Sequence, residues 1–218
     1  MNGKTILFDL DGTVLNTLPD LREATNYAMR VLGYPERTDE DVRRFLGNGA
    51  AVLMRLSLPE SASLEILEEA VRLHKSYYLQ HLTEETLPYP GILKMLNRLK
   101  KEGYGVGLVS NKNDEAVQKL MRAFFPDIFD GAAGEQEGLP KKPAPDLPRR
   151  VLETMGPRGA GKLIYVGDSE VDLKTAENLG AVPILVGWGF RDREELERLG
   201  EVRIASDPEE LFRMIQEI

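Results

Sequence analysis

The sequence predicts an α/β protein, a doubly wound parallel sheet whose first strand is followed by an inserted block of helices. Three observations carry this. A short apolar run at residues 6–8 stops abruptly at Asp9 and Asp11, with Gly12 and Thr13 next. Residues 19–82 then show helical spacing and no convincing strand. From residue 91 onward, strand-length apolar runs alternate with amphipathic helix patterns, the mark of parallel strands joined by right-handed crossovers. The expected division is a core of residues 1–15 and 89–218 and a helical cap of residues 16–88.

The first run reads as a buried strand carrying its acids to the carboxyl end, where open α/β sheets bind ligands. A glycine turn directly after the strand lets both acids face one pocket, whereas the plainer reading is an ordinary Asp-Gly turn. Pro19 and Asp20 open a helix that Gly33 stops, as proline and acids suit a first turn. Thr38 to Asp41 opens a second helix ending at Gly47. Gly47-Asn48-Gly49 is a flexible joint before a short helix at 50–56. Residues 61–82 form the longest periodic run, with Leu64, Leu67, Val71, Tyr78 and Leu82 near helical spacing. The connections near 15–18 and 87–91 would be hinges. Beyond them, strands are expected at 105–109, 131–133, 163–166, 182–186 and 202–205. Helices are expected at 92–101, 113–124, 148–155, 170–179, 192–199 and 208–215, with Pro148 at a first helical position.

Composition narrows the function. The 218 residues are 42% hydrophobic and 29% charged, ordinary for a globular protein with a real core. A net charge of −8 argues against nucleic acid or an anionic membrane surface as partner. With no cysteine, disulfides, thiolate metal sites and a cysteine nucleophile are excluded. No secretory leader pattern and no run of membrane-spanning length is present, so a cytoplasmic protein is expected. A monomer or a homodimer would suit equally.

Three predicted strand ends carry polar groups: Asp9 and Asp11, Ser110 and Asn111, and Asp168 with Asp172 four residues later. Lys142 lies in a stiff Lys-Pro-Ala-Pro turn between the last two. In a parallel sheet these ends line one edge. Carboxylates without His or Cys favour a hard cation such as Mg²⁺, and a cation with a lysine reverses the local sign for a phosphate. One aspartate can then attack phosphorus, while its neighbour, kept protonated by crowding of like charges, serves the leaving alcohol. Asp168 and Asp172 also fit a bland role as helix-start acids, and Lys142 and Lys141 a role as solvated loop lysines. His74 and His81 lie seven apart on the long cap helix without neighbours at metal spacing, and carry no assigned role. Packing is the expected role of Gly187-Trp188-Gly189-Phe190.

Asp9-Leu10-Asp11-Gly12-Thr13, Ser110-Asn111, Lys142-Pro143 and Gly167-Asp168-Ser169-Glu170-Val171-Asp172 resemble, in order, the four motifs of the haloacid dehalogenase-like hydrolases, over essentially the whole chain. The resemblance implies a Rossmann-like core, Asp9 as nucleophile and Asp11 as acid and base. Thr13, Ser110 and Asn111 would bind phosphoryl oxygens, and Lys142 would balance charge. Mg²⁺ would be held by Asp9, the Asp11 carbonyl and Asp168, with Asp172 a ligand through water or an orienting acid. Dehalogenating members lack the second aspartate, so Asp11 points to phosphatase chemistry. The helical insert, with Gly47-Asn48-Gly49 as a loop facing the substrate, is most similar to phosphoglycolate phosphatases. Asn16-Thr17 departs from the Asp-Ser common there, and Ser110 replaces a frequent Thr. The expected partner is a small phosphorylated metabolite, with 2-phosphoglycolate as best guess. Pyrophosphate, a sugar phosphate or a nucleotide remain alternatives, as does a phosphomutase of the β-phosphoglucomutase type. A phospho-aspartate signalling domain is a remote alternative, since it would lack both the insert and the second acid.

Overall fold

The computed structural model describes residues 3–218. Its first strand, β1 (Lys4–Phe8), is the keel of the sheet, with Ile6, Leu7 and Phe8 wholly buried. The chain then leaves the sheet through β2 (Leu15–Asn16) into four helices: α1 (Leu18–Leu32), α2 (Asp39–Phe45), α3 (Ala50–Ser57) and α4 (Leu64–His81). It returns through β3 (Leu87–Pro88). The first half of the remainder runs α5 (Ile92–Lys101), β4 (Gly105–Asn113), α6 (Asp114–Phe124), β5 (Gly131–Glu135) and α7 (Asp146–Thr154). A 3₁₀ turn at Gly156–Gly159 leads into β6 (Lys162–Gly167), α8 (Glu170–Leu179), β7 (Val182–Val186), α9 (Arg193–Glu197), β8 (Arg203–Ala205) and α10 (Pro208–Glu217).

The six main strands are all parallel and ordered β5-β4-β1-β6-β7-β8. The chain builds outward from β1 on one side, then on the other, so the switch in winding direction falls at the β4, β1 and β6 ends. That is where doubly wound sheets bind ligands. Strand alternation sets the two faces. Ile6, Phe8, Val106, Leu108 and Val166 join the core under α5, α6 and α10. Leu7, Val109 and Tyr165 face the other way, under α7 and α8.

Local chemistry explains most boundaries. Gly33 closes α1 in a left-handed conformation, its N–H donating to the Arg30 carbonyl at 3.2 Å and the Tyr34 N–H to the Met29 carbonyl at 2.9 Å. Thr38 and Asp41 cap α2 reciprocally. α4 starts at Leu64, not at residue 61, because the Ser63 hydroxyl accepts from the Ile66 N–H and takes the cap position. α9 likewise begins after Asp192, which forms a capping box with Glu195.

The structure corrects other expectations. α7 starts at Asp146, so Pro148 is third in the helix rather than first. A proline is tolerated there because N–H groups of the first turn have no intrahelical acceptor. β4 runs four residues past the expected end at 109, through a register irregularity between Val109 and Asn113. The connections at 15–18 and 87–91, the expected hinges, lie side by side. Leu15 pairs with Pro88 and Asn16 with Leu87 in an antiparallel ribbon. Asp20 ties them further, accepting from the Glu85 and Thr86 N–H groups at 2.9 and 3.0 Å.

Candidate active site

At the end of β1 the Asp9 N–H still donates to the Val166 carbonyl at 2.8 Å, so Asp9 is held as the last rung of the sheet. The chain then turns through Gly12 at φ +82°. A Cβ there would meet Asp168 Oδ2 at 2.2 Å, so both the left-handed backbone and the approach to Asp168 require glycine. Asp9 and Asp11 both line one cleft, about 950 Å³ including its open part, lying between the sheet edge and the helical block.

The two acids have different partners. Asp9 is buried, and the Lys142 ammonium donates to its Oδ1 at 2.7 Å and to Asp172 Oδ1 at 2.7 Å. Asp172 also accepts from the Ser169 hydroxyl at 2.7 Å and the Asp168 N–H at 3.2 Å. Asp168 accepts from the Phe190 N–H at 2.6 Å. Burial pushes Asp9 up to about 7 against the pull of Lys142, with Asp172 and Asp11 adding to the rise. Asp168 is raised well above the usual carboxylate range by burial, Asp172 and Asp9. Burial also disfavours the Lys142 ammonium, but Asp172 and Asp9 outweigh it and raise its pKa.

Asp11 stands apart from that cluster. The Thr17 hydroxyl donates to its Oδ1 at 2.6 Å and Lys112 pairs with the same oxygen at 3.0 Å. Crowding by like charges acts on Asp9 and Asp168. Lys112 is itself buried, its ammonium 4.3 Å from the Tyr78 ring centre. Burial opposes the Lys112 charge, yet Asp11 raises its pKa above the ordinary value.

The donor set fits a hard divalent cation. Asp9, Asp168 and Asp172 are all buried and each offers an oxygen within 4.8 Å of the others. These three carboxylates cluster around one ammonium, and Asp9 and Asp168 are raised by burial and by their like-charged neighbours, a strain that a cation relieves. Since Asp172 already uses both oxygens, its geometry suits orienting Lys142 as well as ligation.

Ser110 and Asn111 reach the cleft from β4. The Ser110 hydroxyl accepts from the Lys112 N–H at 3.2 Å, and its own proton has no acceptor among the described residues. The Asn111 side chain is occupied: it donates to the Gly47 and Lys142 carbonyls at 3.1 Å each and accepts from the Lys142 N–H at 2.8 Å. It therefore joins the lysine loop to the loop between α2 and α3. Gly47 and Gly49 line the cleft, whereas Asn48 is exposed and does not. Thr13 lies behind the turn, fully buried, and its hydroxyl has no hydrogen-bond partner among the described residues. Lys141 pairs with Glu135 at 3.0 Å.

Sequence reasoning missed several neighbours of the site. Residues 187–190 do more than pack: besides Phe190 on Asp168, the Trp188 indole donates to the Thr13 carbonyl at 3.1 Å, and Arg43 donates to the Gly189 carbonyl at 2.7 Å. Arg191 donates to the Leu46 carbonyl at 3.2 Å while paired with Glu170 at 3.0 Å. His74, given no role by sequence, is buried and lines the cleft beside Lys75 and Tyr78. Burial and the nearby Lys112 and Lys75 push its pKa down to about 3. His81, its partner in spacing, instead meets Glu84 at 2.6 Å.

Residues 6–186 match the family described as haloacid dehalogenase-like hydrolase, and the chain belongs to it. It is a phosphatase of that family. Its relatives sharpen the picture. The chain is 30% identical over 223 residues to a phosphoglycolate phosphatase of Vibrio parahaemolyticus, covering 97% of this chain and 96% of that one. A phosphoglycolate phosphatase of Aliivibrio fischeri is 32% identical over 206 residues, with 88% of each chain covered. A solved structure from Lactobacillus delbrueckii subsp. bulgaricus superposes with a TM-score of 0.91 at 34% identity, covering 99% of both chains.

Proposed function

We propose that this protein is a Mg²⁺-dependent phosphomonoesterase acting through a phosphorylated Asp9, with 2-phosphoglycolate as its substrate. The observation that carries the reading is the separation of roles: Lys142 clamps Asp9 and Asp172 among buried acids, while Asp11 is held separately by Thr17 and Lys112. The substrate assignment rests on the relatives that bear that name.

Mg²⁺ held by Asp9, the Asp11 carbonyl and Asp168 would neutralise phosphoryl charge. Lys142 fixes the Asp9 carboxylate through Oδ1, leaving Oδ2 to attack phosphorus. As the new P–O bond forms, the ester P–O bond breaks and the leaving alcohol takes a proton from Asp11. Both contacts to Asp11 fall on Oδ1, so Oδ2 is free to exchange that proton. In the second half, Asp11 takes a proton from water, water attacks phosphorus and the Asp9–phosphorus ester opens. The free Ser110 proton faces a phosphoryl oxygen, while Asn111 holds Lys142 in register. Residues 16–88 act as a cap whose closure excludes water. The Arg191–Leu46, Arg43–Gly189 and Asn111–Gly47 hydrogen bonds hold it closed, and the ribbon at 15–16 and 87–88 is its hinge.

The test is phosphate release from small phosphoesters and pyrophosphate, with and without Mg²⁺, with Asp9→Asn alongside. Release from 2-phosphoglycolate, abolished in the variant and by chelation, supports the reading. Transfer between sugar positions without net release would make the protein a mutase. Full activity in Asp9→Asn would remove the nucleophile assignment.

A further inference from the structure

Among the cleft's cations, Lys142, Lys112 and Arg191 each pair with an acid, respectively Asp9 and Asp172, Asp11, and Glu170. Lys75 on α4 lines the same cleft and has no ion pair or hydrogen bond among the described residues. Glu115, the acid lining the cleft from α6, is taken by Lys119 at 3.1 Å. Beside Lys75, the His74 ring is buried with both nitrogens unpartnered among the described residues. Buried polar atoms in native proteins are nearly always satisfied. A desolvated imidazole opening on a cleft, next to an unpaired ammonium, is therefore an incomplete recognition pair. Around it the wall is apolar, with Leu21, Leu53 and Leu79.

We propose that His74 and Lys75 form a carboxylate-binding subsite on the cap, so that the accepted phosphoester carries a carboxylate on a short leaving alcohol. This rests on the phosphatase reading above and supplies the residues that would select its substrate. The neutral imidazole offers one N–H and Lys75 one cation, which match a monoanionic carboxylate. A second phosphate would require more donors and more charge than this wall presents. Substrate entry completes both side chains, and an ester without the carboxylate leaves the buried His74 ring and the half-buried Lys75 unpaired.

Kinetics of the full chain with Mg²⁺ should compare 2-phosphoglycolate with ethyl phosphate, which keeps the two-carbon alcohol and lacks the carboxylate. The wild type should favour 2-phosphoglycolate by about 100-fold or more in kcat/KM. Lys75→Met should lower that ratio about 10- to 100-fold through KM, changing ethyl phosphate less than about threefold, and Lys75→Arg should restore most of it. His74→Leu should lower the ratio about tenfold and raise Tm, because it removes two unpartnered buried nitrogens. A histidine serving packing alone would leave the ratio unchanged.

If the wild type hydrolyses phosphoesters with no preference for the carboxylate, or the variants depress both substrates alike, the subsite is overturned and the phosphatase reading stands. A preference for pyrophosphate that Lys75→Met abolishes overturns it too, because the wall then reads a second phosphate. If no ester is hydrolysed, the phosphatase reading fails, and calorimetry with the same two compounds decides the subsite separately. Tighter binding of 2-phosphoglycolate that Lys75→Met removes supports it, and equal or absent binding overturns it.

Discussion

Along the sheet edge the polar side chains are tied to one another: Lys142 bridges Asp9 and Asp172, Asp168 accepts from the Phe190 N–H, and Asp11 holds Thr17 and Lys112. On the helical wall opposite, His74 has no partner for either ring nitrogen among the described residues, and Lys75 pairs with nothing there. One surface is preorganised before substrate arrives, as electrostatic catalysis requires. The other is unfinished until something fills it. Chemistry common to every phosphoester belongs on the tied sheet edge, and recognition of one leaving group belongs on the helical wall opposite.

Damage to the edge should therefore cost turnover for every substrate. Asp9→Asn should lower kcat by about 10⁴-fold or more for all phosphoesters, measured by phosphate release. Lys142→Met should follow, with kcat down about 10³-fold. Without metal it should also destabilise the protein by about 3–5 kcal/mol at pH 7, because it leaves buried acids unpaired. Urea denaturation should show that loss shrinking at pH 5, as Asp9 and Asp168 take up protons. Thr17→Val removes the 2.6 Å hydrogen bond to Asp11 and should lower kcat about tenfold with KM nearly unchanged.

A gentler contrast lies in the pH dependence of metal-free stability. Asp9 rises from 3.8 to about 7 on folding, so the native state holds more protons between those values and stability falls as pH rises through that window. His74 drops from 6.5 to about 3, so the unfolded chain holds more protons and stability is lost as pH falls below 6.5. The two slopes oppose each other, each at most about 1.4 kcal/mol per pH unit. His74→Leu should therefore unmask a protein that gains stability on acidification from pH 6.5 to 5. Asp9→Asn should shift the balance the other way, and urea midpoints across that range check both.

The same contrast governs what could be read from the sequence. Asp9, Ser110 and Asp168 each end an apolar run of strand length, and three such runs in a parallel sheet share one edge. Strand length, alternation and abrupt carboxylates are local signals, so the edge was legible. His74 and Lys75 sit mid-helix among residues whose spacing describes packing and nothing more. Their meaning comes from the cleft that α4 closes against α6 and β4, a contact no local pattern encodes. Lys112 was hidden because β4 continues past its expected end and turns that side chain toward Asp11. The ribbon of β2 and β3 was hidden because each strand is two residues long, far apart in sequence, and one contains proline.

The central claim is that Asp9 and Asp11 divide the reaction between attack and proton transfer. Rapid acid quench of the Mg²⁺ enzyme with 2-phosphoglycolate, followed by peptide mass mapping, tests it most directly. The account predicts a transient acyl phosphate on Asp9, absent in Asp9→Asn and slow to form in Asp11→Asn. Steady phosphate release with no phosphorylated Asp9 at any quench time, and an active Asp9→Asn, would contradict it.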